Sequence, residues 1–205
     1  MSTIKFLPLA VFLVSFLAAA PARASAAFTP DAQGYIRHWL MLAPVPLGDE
    51  EPGTEAIYKQ QVRGEASLRP KAGDSVKVGN KDLTWQKVTA TTNYFDFNAI
   101  LKSINDRAAG YMVTYIESET ERPDVIMTVA SNDEGRIYFN GVDIYLFGEP
   151  RQLVLDSDKG KVTLKKGLNV IVFKVVNEQN AWQGSLRLLD KSGLPLHGIK
   201  VKLAP

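Results

Sequence analysis

The sequence contains no cysteine. That absence removes disulfides, thiolate metal sites and thiol catalysis together. Histidine is nearly as scarce: His38 and His197 are the only two, one beside the first apolar run and the other in the last turn, each reading as a surface or edge residue. No Gly-x-Ser-x-Gly, glycine-rich phosphate loop or His-Glu-x-x-His occurs, so the motifs of common hydrolases, nucleotide enzymes and zinc proteases are missing. Long Lys/Arg runs are also lacking, which argues against nucleic acid or an anionic membrane as the main partner. The formal charge of +2 falls to zero once Lys5 and Arg23 are set aside.

Those two residues belong to a segment that reads as a secretory signal peptide, residues 1–26. Lys5 precedes an apolar run from Phe6 to Ala20, and Ala24-Ser25-Ala26 supplies a small-residue cleavage site. The run contains Pro8 and is shorter than the roughly 20 residues a membrane span needs, so no membrane anchor is expected. No cysteine follows it for lipid attachment. The expected localisation is secreted or periplasmic, with residues 27–205 forming one domain held by its own apolar core.

Along that domain the pattern is strand and turn. Trp39 to Pro44 suits a strand that buries both faces. Thr54 to Val62 suits one or two helical turns with Thr54 as N-cap and Ile57 inward. Arg63 to Lys81 is a polar connection with one or two weak strands, Asp82 to Val88 alternates as one strand, and Asn98 to Ser103 suits a short helix. Further strands are expected at Tyr111 to Glu117, Asp124 to Ala130, Arg136 to Phe139, Val142 to Phe147, Gln152 to Leu155, Lys161 to Leu164, Leu168 to Val176, Gln183 to Leu189 and Ile199 to Leu203. Asn140-Gly141 between two apolar runs is a strong hairpin signal, because both central residues of a type I′ turn need positive φ. Alternation in that hairpin puts one of Tyr138 and Phe139 in the core and the other on the surface. Strands at this spacing without a long helix indicate an all-β fold, a single β-sandwich with short helical turns in its N-terminal half.

Three blocks carry a family resemblance: Trp39-Leu40-Met41-Leu42-Ala43-Pro44; Ser131 to Gly141, reading Ser-Asn-Asp-Glu-Gly-Arg-Ile-Tyr-Phe-Asn-Gly; and Leu164 to Val175 with Trp182-Gln183-Gly184-Ser185-Leu186-Arg187-Leu188. In this order they resemble the galactose-binding-like jelly-roll domains that accompany exported bacterial glycosidases. The family tends to read Ser-Asp-Asp-Gly in the middle block, whereas here Asn132 replaces an Asp and Glu134 precedes Gly135. The resemblance implies a jelly-roll sandwich and a non-catalytic binding role, and it also implies a structural calcium in some members. Asp31, Asp133 and Asp156 are the candidates for such hard-oxygen ligation. An EF-hand is rejected in Asp156 to Gly160, since Lys161 and Gly167 stand where that loop needs Gly and Glu.

Sugar binding needs an aromatic face against the C–H face of a pyranose, with amides and carboxylates for the hydroxyls. Tyr94, Tyr145 and Trp182 are the candidate faces. Asn132, Asp133, Asn177, Gln179 and Asn180 are the candidate polar edge. The leading expectation is therefore an exported, non-catalytic module that recognises carbohydrate. A structural module docking on another exported protein is the second reading, and a small glycoside hydrolase the third.

Overall fold

The computed structural model describes residues 26–205; the signal-peptide expectation falls almost wholly on residues outside that range. Thirteen strands, two short α-helices and a 3-10 turn at Glu65–Ser67 follow one another among the described residues: β1 (His38–Pro46), α1 (Gly53–Ala56), β2 (Ser75–Val78), β3 (Lys81–Thr84), β4 (Gln86–Thr89), β5 (Phe95–Asp96), α2 (Phe97–Leu101), β6 (Ala108–Ser118), β7 (Arg122–Asn132), β8 (Gly135–Phe139), β9 (Val142–Phe147), β10 (Asp158–Leu164), β11 (Gly167–Asn177), β12 (Gln183–Leu189) and β13 (Ile199–Lys202). A larger antiparallel sheet runs β4-β1-β6-β11-β8-β9, with β13 pairing the far half of β6. A smaller one runs β10-β7-β12-β5, and β2 and β3 form a separate hairpin. The fold is the all-β sandwich that strand spacing predicts. Asn140 and Gly141 both have positive φ, at 52° and 86°, as the hairpin signal requires.

The inner core lies between the two sheets. Trp39 and Met41 of β1, Met112 and Ile116 of β6, Ile171, Phe173 and Val175 of β11, and Leu186 and Leu188 of β12 meet there. The intervening residues on the larger sheet are equally buried. Leu40, Leu42, Tyr111, Val113, Tyr115, Tyr138, Val170, Val172 and Val176 form a second core on its far face, covered by Ile57, Val62 and Trp85. A strand buried on both faces reads as continuous apolar sequence, which is why β1 and β11 show no wet side. It is also why Tyr138 and Phe139 are both buried, each against a different core, correcting the expectation that one of them faces solvent.

The cover spans roughly the chain between β1 and β4. A buried polar cluster pins it. Lys174 Nζ of β11 donates to the Ala56 and Lys59 carbonyls and to Glu65 Oε1, at 2.9, 2.6 and 3.2 Å. The Tyr111 hydroxyl donates to the same Glu65 oxygen, and the Tyr138 hydroxyl to Oε2 at 3.3 Å. Desolvation lowers the Lys174 pKa and pushes that of Tyr111 well up.

Four local expectations need correction. Thr54 is not the N-cap of α1; Pro52 is, with no side-chain cap. Asp82 to Val88 is two strands and not one, because Trp85 turns into the second core while its amide donates to Asp74 O and its carbonyl accepts from Gly73. β3 then pairs β2, and β4 pairs β1. The short helix starts at Phe97, one residue early, with Asp96 accepting from Ala99 N at 2.9 Å. Gln152 to Leu155 forms no strand.

Candidate functional site

Four connections meet at one end of the sandwich: the β4–β5 loop with Tyr94, the β7–β8 turn with Asn132 and Asp133, the long β9–β10 loop, and the β11–β12 loop from Glu178. Together they border an open cavity of about 730 Å³, lined by Tyr94, Asn132, Asp133, Pro150, Arg151, Gln152, Leu153, Leu155, Glu178, Gln179, Asn180, Ala181 and Gln183. That volume lies within the range of small-ligand sites, roughly 300–1,000 Å³. The walls are fixed by contacts made behind them. Asn180, at φ +70°, donates its amide to Asp106 Oδ1 at 3.1 Å and accepts from Asn98 Nδ2 at 2.7 Å through its carbonyl. Gln183 Nε2 donates to Asp96 Oδ2 at 2.9 Å, and Ser131 Oγ donates to the Asp133 carbonyl at 3.0 Å.

Arg151 is held from several sides. Its Nη2 donates to Asp158 Oδ2 at 2.6 Å, to the Tyr145 hydroxyl at 2.6 Å and to Ser131 Oγ at 3.1 Å, while the guanidinium lies 3.6 Å from the Phe147 ring centroid. Asp133 is different. Burial pushes its carboxyl pKa up and nearby Glu178 adds to this, against a partial offset from the backbone amides of Glu178 and Arg151. Next to it in sequence, Glu134 is wholly buried, and neither of its carboxyl oxygens has a hydrogen-bond partner. Desolvation, reinforced by Asp133 and Glu178, pushes Glu134 up to about 7.

Of the eight expected ligand residues, Tyr94, Asn132, Asp133, Gln179 and Asn180 line this cavity. The other three do not. Trp182 has no exposed surface; it stacks on Phe97 at 4.2 Å and donates Nε1 to the Val175 carbonyl at 3.2 Å. A Cβ on Gly110 would overlap both of those rings, so close packing there excludes a ligand. Asn177 is buried and donates Nδ2 to the Asn105 carbonyl at 2.8 Å. Tyr145 lies in a separate groove of about 420 Å³ between β9 and β10, its hydroxyl donating to Asp158 at 2.9 Å and its pKa pushed up to about 12 by burial.

The three metal candidates are not brought together. Asp31 accepts from the amides of Gln33 and Tyr35 and from Arg37; Asp156 accepts from Thr128 Oγ1 and from Arg187 Nε and Nη2. Both carboxylates are therefore committed to arginines, and Asp133 lies on the cavity wall. Among the described residues no group of three or more His, Asp or Glu is arranged to hold a metal ion. The residues that sequence reasoning missed on the wall are Glu178, Arg151, Gln183 and the Pro150 to Leu155 loop. Glu178 sits inside the polar run Asn177 to Asn180, legible as loop; the β9–β10 segment is hidden by its short apolar run, Leu153-Val154-Leu155, which reads as a strand.

Among the described residues no helix is long and apolar enough to cross a membrane. No protein-family model matches the chain, and no curated protein matches it. Among solved structures the chain is similar to a family 35 carbohydrate binding module from an environmental isolate, at 12% identity, covering 88% of this chain and 99% of that one, with a TM-score of 0.35.

Proposed function

We propose that this protein is an exported, non-catalytic module that binds carbohydrate in the loop-end cavity. The observation that carries the reading is the composition of that wall: one aromatic residue, Tyr94, lines the same cavity as Asn132, Asp133, Glu178, Gln179, Asn180 and Gln183. A ring for the apolar face of a pyranose and several donors and acceptors for its hydroxyls is what sugar recognition requires. The acid with the most perturbed pKa, Glu134, is closed off from solvent and does not line the cavity. Glu134 therefore cannot serve as a general acid there, since such a group has to reach the glycosidic oxygen. Export to the periplasm or medium is part of the proposal and rests on the leader-like residues 1–26.

A glycan array on the purified protein tests it, followed by calorimetry on the best ligand. Tyr94→Ala is expected to weaken binding about tenfold or more, the scale of a lost stacking face in a small site. Absence of binding across plant, microbial and host glycans overturns the proposal. Release of reducing ends from the bound glycan overturns the non-catalytic part of it.

A further inference from the structure

The sandwich has a second opening that shares no lining residue with the loop-end cavity. The larger sheet ends at β9 and the smaller at β10, and the groove of about 420 Å³ between these edges is lined by Met127, Val129, Ile144 and Val162 on its apolar part. Among the described residues β10 pairs with β7 alone, so the backbone groups on its other side have no strand to bond. The ladder on β9 is broken by a bulge at Ile144, whereas β10 keeps unbroken register from Asp158 to Val162. A regular free edge is what an added strand needs.

Gly160 stands in the middle of that run, opposite Met127 and therefore on the core-facing side of the strand. Neither backbone conformation nor crowding accounts for a glycine here. Its φ lies outside the left-handed region, and beyond its chain neighbours a Cβ would have no heavy atom within 4 Å. A glycine inside a strand weakens it and often marks a place where a ligand or another backbone comes close. The missing side chain leaves a notch in the edge. On the outer face the same stretch is cationic: Lys159 and Lys161 flank Gly160 and lie opposite Thr128 and Ile126, so no acid faces them across β7. Lys159 is in no ion pair among the described residues. Lys161 pairs with Asp124 at 3.1 Å, but both side chains are more than half exposed, and such surface pairs are weak. A second copy of β10 laid on this edge would set lysines beside lysines, which is unfavourable. A strand with an apolar residue between two acidic ones fills the notch with the first and meets both charges with the others, because alternate side chains point to opposite faces.

We infer that β10 is a docking edge for an extended segment of a partner protein that carries an acidic, apolar, acidic triplet. The segment continues the smaller sheet, seats its apolar side chain over Gly160 and sets its two carboxylates beside Lys159 and Lys161. This surface is independent of what the loop-end cavity binds.

Calorimetric titration of the purified protein with the blocked heptapeptide Ser-Val-Glu-Leu-Glu-Val-Ser tests it, beside one control with Lys for both Glu and another with Gly for Leu. The first peptide is expected to bind about tenfold or more tighter than either control, and its margin over the Lys control to shrink at about 0.5 M salt. Hydrogen exchange of the β10 amides is expected to slow when it binds. Gly160→Val fills the notch where nothing has to move, and is expected to weaken binding about tenfold or more with Tm retained. Lys159→Glu is expected to turn the preference toward the Lys control, and serves alone if the valine variant fails to fold. Equal binding of the three peptides, binding indifferent to both variants, or no binding up to about 1 mM overturns the inference. So do two other occupants of the edge: self-association in sedimentation that Gly160→Val abolishes, and dodecanoate binding that Gly160→Val abolishes while no peptide binds.

Discussion

At the scale of single residues, burial decides which polar groups serve a site and which serve the fold. Trp182 and Tyr94 are both aromatics next to loops, yet one is sealed against Phe97 and the other stands on a cavity wall. Glu134 is a buried carboxyl whose ionisation the fold opposes. Its pKa is raised from an ordinary 4.5 to about 7 by desolvation, with Asp133 and Glu178 adding to it. A carboxyl raised in the folded state binds more protons there than in the unfolded chain between those two values, so stability falls as pH rises through that window. Above it the ionised, unpartnered carboxylate costs on the order of 3 kcal/mol. Glu134→Gln is therefore expected to raise the urea midpoint at pH 8 and to leave it nearly unchanged, or slightly lower, at pH 4.5. Denaturant titrations of both proteins at the two pH values check this; an equal shift at both would mean that titration of Glu134 is not the cause.

At the scale of elements, the strands were legible because period-2 patterning and turn residues carry their boundaries. β12 occupies the expected residues, and β8, β9 and β11 lie within a residue of expectation at each end. The misreadings on the larger sheet share one cause. The cover over the larger sheet gives that sheet a second buried face, and nothing local in Tyr138 or in Lys174 announces a partner more than fifty residues away. Trp85 breaks an alternating run because a buried ring outweighs the pattern around it. In the candidate site, polar loops pointed to Tyr94, Asn132, Asp133 and the Gln179–Asn180 pair, whereas the short apolar run Leu153-Val154-Leu155 read as a strand, and Gln152, Leu153 and Leu155 line the cavity.

Lys174 shows how much the cover depends on one such hidden partner. Its ammonium joins two carbonyls of the cover to Glu65, and Lys174, Ala56 and Glu65 are all buried. Lys174→Met leaves the Glu65 carboxylate with its two tyrosines but no cation, and removing one member of a buried pair costs about 3–5 kcal/mol. Glu65→Gln in the Lys174→Met background removes the stranded charge and is expected to recover part of that loss. Thermal melts of the two variants beside the parent protein check the order; a double variant no more stable than Lys174→Met would show that lost packing, and not the stranded charge, carries the cost.

On the scale of the molecule, two cores share one sheet, and this arranges how the protein opens. Detaching the cover exposes the outer core with its tyrosines while the sandwich and its inner core stay closed; opening the sandwich exposes everything. Local opening therefore has a lower free energy than global unfolding, and hydrogen exchange separates the two. Trp182 contributes to the inner core and is packed alike whether the cover is on or off, whereas Trp85 is buried only when the cover is closed. Trp182→Ala should then lower the protection of β7 and β12 amides by the about 3–5 kcal/mol typical of a buried Trp truncation, and leave β2, β3 and the Ile57 to Val62 amides unchanged. Trp85→Ala should lower both groups together, since it destabilises the closed state from which every opening starts. Native-state exchange on the two variants checks the contrast. If Trp182→Ala weakens the cover amides as much as those of β7 and β12, the two cores open as one unit, and the cavity-forming end of the sandwich has no rigidity independent of the cover.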